Sequence, residues 1–129
     1  MHFLNLLLQL MAEFPRIFKG EEPRSHSHVF EGWYPMLFDL CKKIEACLSD
    51  SELEQFRVLQ IKEKFGFLRF YYYCDALSRS KVGHLIHAAY EQSRITCFMC
   101  GSIIPLTEND PNGPICTPCA KNLRASLAS

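Results

Sequence analysis

Net charge is the first thing this sequence lacks, because fourteen Lys and Arg side chains balance fourteen Asp and Glu. No global field therefore draws the chain to nucleic acid or to an acidic membrane surface. An apolar run of the roughly 20 residues needed to cross a bilayer is also missing. Residues 1–14 are very apolar, but they carry no basic leading region and no small-residue cleavage site, so they do not read as a secretory signal. No Ser/His/Asp or Cys/His arrangement, phosphate-cradling glycine loop or carboxylate pair with evident roles is recognisable. An enzyme is accordingly the weakest class, and no membrane is expected among the partners.

What the sequence does hold is cysteine, seven in all. Cys97 and Cys100 in Cys-Phe-Met-Cys-Gly, and Cys116 and Cys119 in Cys-Thr-Pro-Cys-Ala, form two Cys-x-x-Cys pairs. A two-residue gap lets both thiolates of a pair turn toward one ion, and the interval suits two knuckles that share it. The pattern predicts a Zn2+ site that is structural, since four protein sulfurs fill the tetrahedron and leave no position for a reactive water. Other readings are two disulfides, a redox Cys-x-x-Cys, or packing thiols, and iron competes with zinc for the same ligands. Disulfides suit small secreted chains, whereas an odd cysteine count and free Cys41, Cys47 and Cys74 suit a reducing cytosol. Gly101 directly after the first knuckle offers the positive φ that helps a chain turn its amides toward sulfur. Pro105, Pro111, Gly113, Pro114 and Pro118 keep the connection irregular, so metal binding and folding are expected to be coupled there.

The remaining periodicities predict an α+β fold: residues 1–94 form a body of helices packed on a β-hairpin, and residues 95–129 form a zinc ribbon-like segment with a short helix over 118–128. Within residues 1–14 the polar Asn5, Gln9 and Glu13 recur on one side of a helix. The apolar remainder wants cover, either from the core or from a partner, including a second copy in a homodimer. Pro15 is read as its end. Residues 19–32 have no period and read as an exposed loop, with His26 and His28 as a weak metal-chelating candidate. Helix 33–49 follows, with Trp33, Leu37, Leu40, Ile44 and Leu48 inward, Lys42, Lys43 and Glu45 outward, and Ser49-Asp50-Ser51 as its close. A helix over 80–94 places Val82, Leu85, Ile86, Ala89 and Tyr90 inward and leaves His84 and His87 at its surface.

Residues 56–73 alternate about Gly66 and predict a hairpin that pairs Lys64 with Phe67, Lys62 with Arg69, Gln60 with Tyr71 and Val58 with Tyr73. One face, Leu59, Ile61, Leu68, Phe70 and Tyr72, belongs to the core. The other shows Lys62, Lys64, Arg69, Tyr71 and Tyr73, a basic and aromatic candidate binding surface that an ordinary wet sheet face would also explain. Residues 1–50 hold five basic and seven acidic side chains and residues 51–96 seven and five, so an anionic partner meets the middle of the chain first.

The runs Glu31-Gly32-Trp33-Tyr34-Pro35, Val58-Leu59-Gln60-Ile61-Lys62-Glu63-Lys64-Phe65-Gly66-Phe67-Leu68-Arg69-Phe70-Tyr71 and Ile95-Thr96-Cys97-Phe98-Met99-Cys100-Gly101 together resemble a group of small phage and prophage proteins. The resemblance covers roughly residues 31–101 and implies a mobile-element origin without an agreed activity. Its setting implies an inhibitor that binds a host protein, with components of bacterial defence such as CRISPR complexes among the targets. The alternative is a nucleic-acid-binding zinc-ribbon protein that uses the hairpin face, aided by Lys121 and Arg124.

Overall fold

The computed structural model describes residues 2–20, 23, 26–105 and 113–128, and side chains from residue 6 to residue 127 within those spans. Helix α1 (His2–Glu13) is followed by a short α2 (Pro15–Phe18), a 3-10 turn (Glu31–Trp33), α3 (Tyr34–Cys47), α4 (Asp50–Gln55), β1 (Arg57–Lys64), β2 (Phe67–Tyr73), α5 (Ala76–Ser93) and α6 (Thr117–Ala128). Helices packed on one antiparallel two-stranded sheet make the fold α+β.

Proline and a capping box explain two departures from the sequence reading. Pro15 does not close the apolar segment; it occupies the first turn of α2, where its missing N–H costs nothing, and Ile17 and Phe18 behind it are fully buried. Ser49 likewise opens a helix. Its hydroxyl accepts from the Glu52 N–H while the Glu52 carboxylate accepts from the Ser49 N–H, a reciprocal cap that starts α4. Helix α5 begins four residues earlier than expected because the Asp75 carboxylate accepts the Ser78 N–H.

The hairpin turns at Phe65 and Gly66, both at positive φ (57° and 85°), the geometry that matches strand twist. From there the register follows alternation: Lys64 opposite Phe67, Lys62 opposite Arg69, Gln60 opposite Tyr71. A bulge between Val58 and Gln60 then sets Val58 against Tyr72 and Arg57 against Tyr73, not Val58 against Tyr73. The extra residue is Leu59, which is half-buried, while Val58 takes the buried place on the core face beside Ile61, Leu68 and Phe70.

One core joins α1 through α5 and the sheet. Leu37, Leu40, Cys41 and Ile44 supply the inward stripe of α3, flanked by Trp33 and Leu48, and Leu7 and Leu10 of α1 with Phe14 just after it join the same core. Side chains before Leu6 fall outside the described residues; Leu8 stays exposed. Glu45 departs from its expected outer position: it is half-buried with Oε2 unpartnered, and burial raises its carboxyl above the ordinary value. The stretch at 27–30 is no open loop either. Val29 is fully buried, the His28 N–H donates to the Ile61 carbonyl at 2.7 Å and the Ile61 N–H to Ser27 Oγ at 3.2 Å, so this segment covers the free edge of β1. Burial lowers the His28 pKa, and its ring meets Phe30 edge-on, a packing role in place of chelation. His26 is exposed.

Candidate metal centre

The second, smaller core contains Cys97, Ile104, Ile115, Cys116 and Ala120, with Phe98, Cys119 and Leu123 packed around it. Local sequence builds it. Gly101 takes φ 84°, so that its N–H returns to the Cys97 carbonyl at 2.8 Å and closes the first knuckle. The Cys97 N–H reaches the Ser102 carbonyl at 2.9 Å, and Thr96 bridges Ile103. Across the gap, the Phe98 N–H donates to the Pro114 carbonyl at 2.9 Å. The second knuckle runs into α6, where the Ala120 N–H bonds the Cys116 carbonyl and Pro118 sits in the first turn. Residues 106–112, including Pro111, lie outside the described residues.

The sulfurs of Cys97, Cys100, Cys116 and Cys119 all lie within 4.8 Å of one another. Zinc bonded to four thiolates at about 2.3 Å requires sulfurs about 3.8 Å apart at the corners of a tetrahedron. Cys100 Sγ and Cys116 Sγ stand at 3.7 Å, the tetrahedral spacing, and no other pair of the four lies more than about 1 Å beyond it. The Cys116 N–H donates to Cys97 Sγ at 3.3 Å. The Ser102 hydroxyl lies 3.1 Å from Cys100 Sγ and, with the Ser102 backbone N–H, draws that thiol down to about 6. Burial and the neighbouring sulfurs push Cys119 up, as expected where several protons compete for one cluster. Four sulfurs this close could hold one metal ion, and the chemistry such an ion supplies there is cross-linking.

The cluster is also tied to the body by residues whose importance is long-range. Gly32 lies against the first knuckle, its N–H donating to the Phe98 carbonyl at 2.8 Å. A Cβ on it would stand 2.1 Å from the Cys97 oxygen and 2.6 Å from the Gly101 nitrogen, so no other residue fits without movement. Trp33, buried to 1% exposure, donates its indole N–H to the Thr96 carbonyl at 2.9 Å, and Phe30 stacks on Phe98 with centroids 4.8 Å apart. Neither Gly32 nor the Trp33 nitrogen announces this role in sequence.

The second sequence-predicted site divides. Lys62 pairs with Arg69 and Gln60 with Tyr71, which places Lys62, Arg69 and Tyr71 together on the outer face; Lys64 and Tyr73 lie exposed farther along it. Tyr71 and Tyr73 are 44% and 58% exposed. Arg69, in contrast, lies over the rings of Phe67 and Tyr90, 6.0 and 5.7 Å from their centroids, with Nε buried. The Lys64 ammonium lies 5.7 Å from the Phe65 centroid. His84 and His87 are exposed on α5, and His87 stacks on Tyr90. Lys121 and Arg124 are exposed on α6. Among the described residues no helix is long and apolar enough to cross a membrane.

No family model, no curated protein and no solved structure matches this chain.

Proposed function

We propose that this chain is a non-catalytic protein-binding module of mobile-element type, stabilised by Zn2+, that works in the bacterial cytoplasm by occupying a surface of a host protein, in the manner of an inhibitor of a defence component. The observation that carries protein binding is the outer face of the hairpin. Tyr71 and Tyr73 hold their rings in solvent beside Lys62 and Arg69, and large rings with arginine are the residue types that dominate the energy of protein interfaces. The four-sulfur cluster supports a scaffold role: with every tetrahedral position taken by protein, a bound zinc has nowhere to accept a substrate. The phage resemblance supplies the host setting.

An affinity capture from bacterial lysate tests this, using zinc-loaded protein with and without nuclease, at low and high salt, read by mass spectrometry and nucleic-acid staining. A discrete protein that survives nuclease is the expected result, and salt should weaken it only in part, because exposed rings share the contact with Lys62 and Arg69. Recovery of nucleic acid, with proteins lost on digestion, would replace this reading by the strand-binding one, in which Lys62, Lys64, Arg69, Tyr71 and Tyr73 meet phosphates and bases and affinity falls steeply with salt.

A further inference from the structure

We infer that the groove between β2 and α5 is a docking site for an extended, acidic segment of a partner polypeptide. This rests on the protein-binding reading above and adds to it the place and chemistry of the contact. The groove encloses about 340 Å³, with Arg69, Phe70 and Tyr71 on the strand side and Gly83, His87 and Tyr90 on the helix side.

The glycine is the first argument. Gly83 lies in the interior of α5, where glycine weakens a helix relative to alanine, yet a Cβ placed on it would meet nothing within 4 Å. The fold does not require it. What its missing side chain preserves is room in the groove.

The strand edge is the second. Opposite residues in an antiparallel ladder share one phase, both turned toward each other or both turned away. Ile61, the partner of Phe70, turns its N–H and carbonyl outward to Ser27 and His28, so Phe70 turns its own pair out of the other edge. Leu68, two residues before, has the same phase and gives its N–H to Ser93 Oγ at 2.9 Å. Phe70 has no such partner among the described residues. An unpaired donor and acceptor at a strand edge is a template for an extended chain.

Charge is the third, and it chooses the occupant. The basic side chains lining the groove are Arg69 and His87, with no carboxylate among the lining residues. Two ring faces hold the Arg69 guanidinium in place, and it makes no ion pair among the described residues. A fixed guanidinium without an acid beside it suits a bidentate carboxylate. A polypeptide supplies that carboxylate together with a backbone complementary to Phe70; a nucleic acid supplies only the charge.

Selection of a displayed library of random linear peptides on immobilised, full-length, zinc-loaded protein tests the inference. Enriched sequences should carry Asp or Glu within alternating β-branched residues. A synthetic copy should bind at least tenfold more weakly to Gly83→Leu, whose Cβ site is open and whose zinc content and melting should match the wild type. Arg69→Gln should lower affinity about tenfold and remove the preference for acidic over neutral peptides. Lack of enrichment would overturn the inference, as would enriched peptides that are basic or that bind Gly83→Leu normally. So would competition by a single-stranded oligonucleotide, or a dimer of this chain that Gly83→Leu dissociates. A host protein captured equally by wild type and Gly83→Leu would sink the groove and leave the protein-binding reading standing. Capture of no protein by either would sink the protein-binding reading itself.

Discussion

Replacing Gly32 with alanine is the sharpest single perturbation of this fold. The added Cβ would lie 2.1 Å from the Cys97 oxygen, 2.6 Å from the Gly101 nitrogen and 2.7 Å from the Phe98 carbonyl carbon, all of them backbone atoms that no rotamer change can move. Relief requires the first knuckle to retreat by about 1 Å, at a cost of about 1–3 kcal/mol by the measure of overpacked cores. Retreat also stretches the Gly32 N–H bond to Phe98 and the buried Trp33 bond to Thr96, now 2.8 and 2.9 Å. Each contributes about 1 kcal/mol net. The expected loss is therefore about 3–5 kcal/mol, a large share of the stability of a small domain. Urea unfolding of the zinc-loaded protein reads it directly, and competition with a chromogenic chelator should show weaker metal retention, because the same movement disturbs Cys97. Gly83→Ala is the control, with no contact within 4 Å, and should hold or raise stability by up to about 1 kcal/mol. A Gly32→Ala protein that loses less than about 1 kcal/mol and keeps its zinc would refute the claim that the knuckle is clamped to the body at this point.

Other expectations follow the same contacts. Cys97→Ser or Cys116→Ser should lose the metal and unfold the second core first, read as lowered zinc content and an early loss of amide protection in residues 95–104 and 113–127; unchanged content and melting would exclude this ligand set. Trp33→Phe keeps an aromatic ring but leaves the Thr96 carbonyl without its indole donor and opens a small cavity, which should cost at least about 1–3 kcal/mol in chemical unfolding. Glu52 is held below its ordinary pKa, first by Lys81, whose ammonium lies 2.8 Å away, and by the Ser49 N–H. As pH falls the unfolded chain therefore takes up this proton before the native one. The stabilisation is complete above the ordinary carboxylate value and disappears as pH falls through the lower native one. Glu52→Gln should flatten that acid limb of stability against pH, and an unaltered limb would show that Lys81 does not act through Glu52.

Much of this architecture was legible where the determinant is local. Alternation about Gly66 located the hairpin and its register as far as Gln60 and Tyr71, and two Cys-x-x-Cys pairs identified four sulfurs that the fold gathers within 4.8 Å. Where a local signal has two meanings, sequence alone does not choose between them. Pro15 is compatible with a helix end or a helix start, and Ser49 with a stop or a cap; burial of Ile17, Phe18 and Leu53 decides both, and burial is not local. The bulge at Leu59 breaks no hydrophobic pattern, since Val58 and Leu59 are both apolar and either can face the core. The docking of Gly32 and Trp33 onto residues 96–101 spans more than sixty residues of chain, and no periodicity reports a contact of that range. Arg69 illustrates the same limit from the other side: alternation placed it on the outer face, but only α5 brings Tyr90 over it.

Cys97, Cys100, Cys116 and Cys119 are expected to hold one ion that ties the first knuckle to the second. The direct measurement is metal content of the protein as purified, together with the absorption spectrum after replacement by Co2+. One zinc per chain, and intense sulfur-to-cobalt charge transfer with tetrahedral ligand-field bands, is the predicted result. A metal-free protein with the same melting temperature, or a cobalt spectrum that survives Cys116→Ser unaltered, would contradict it.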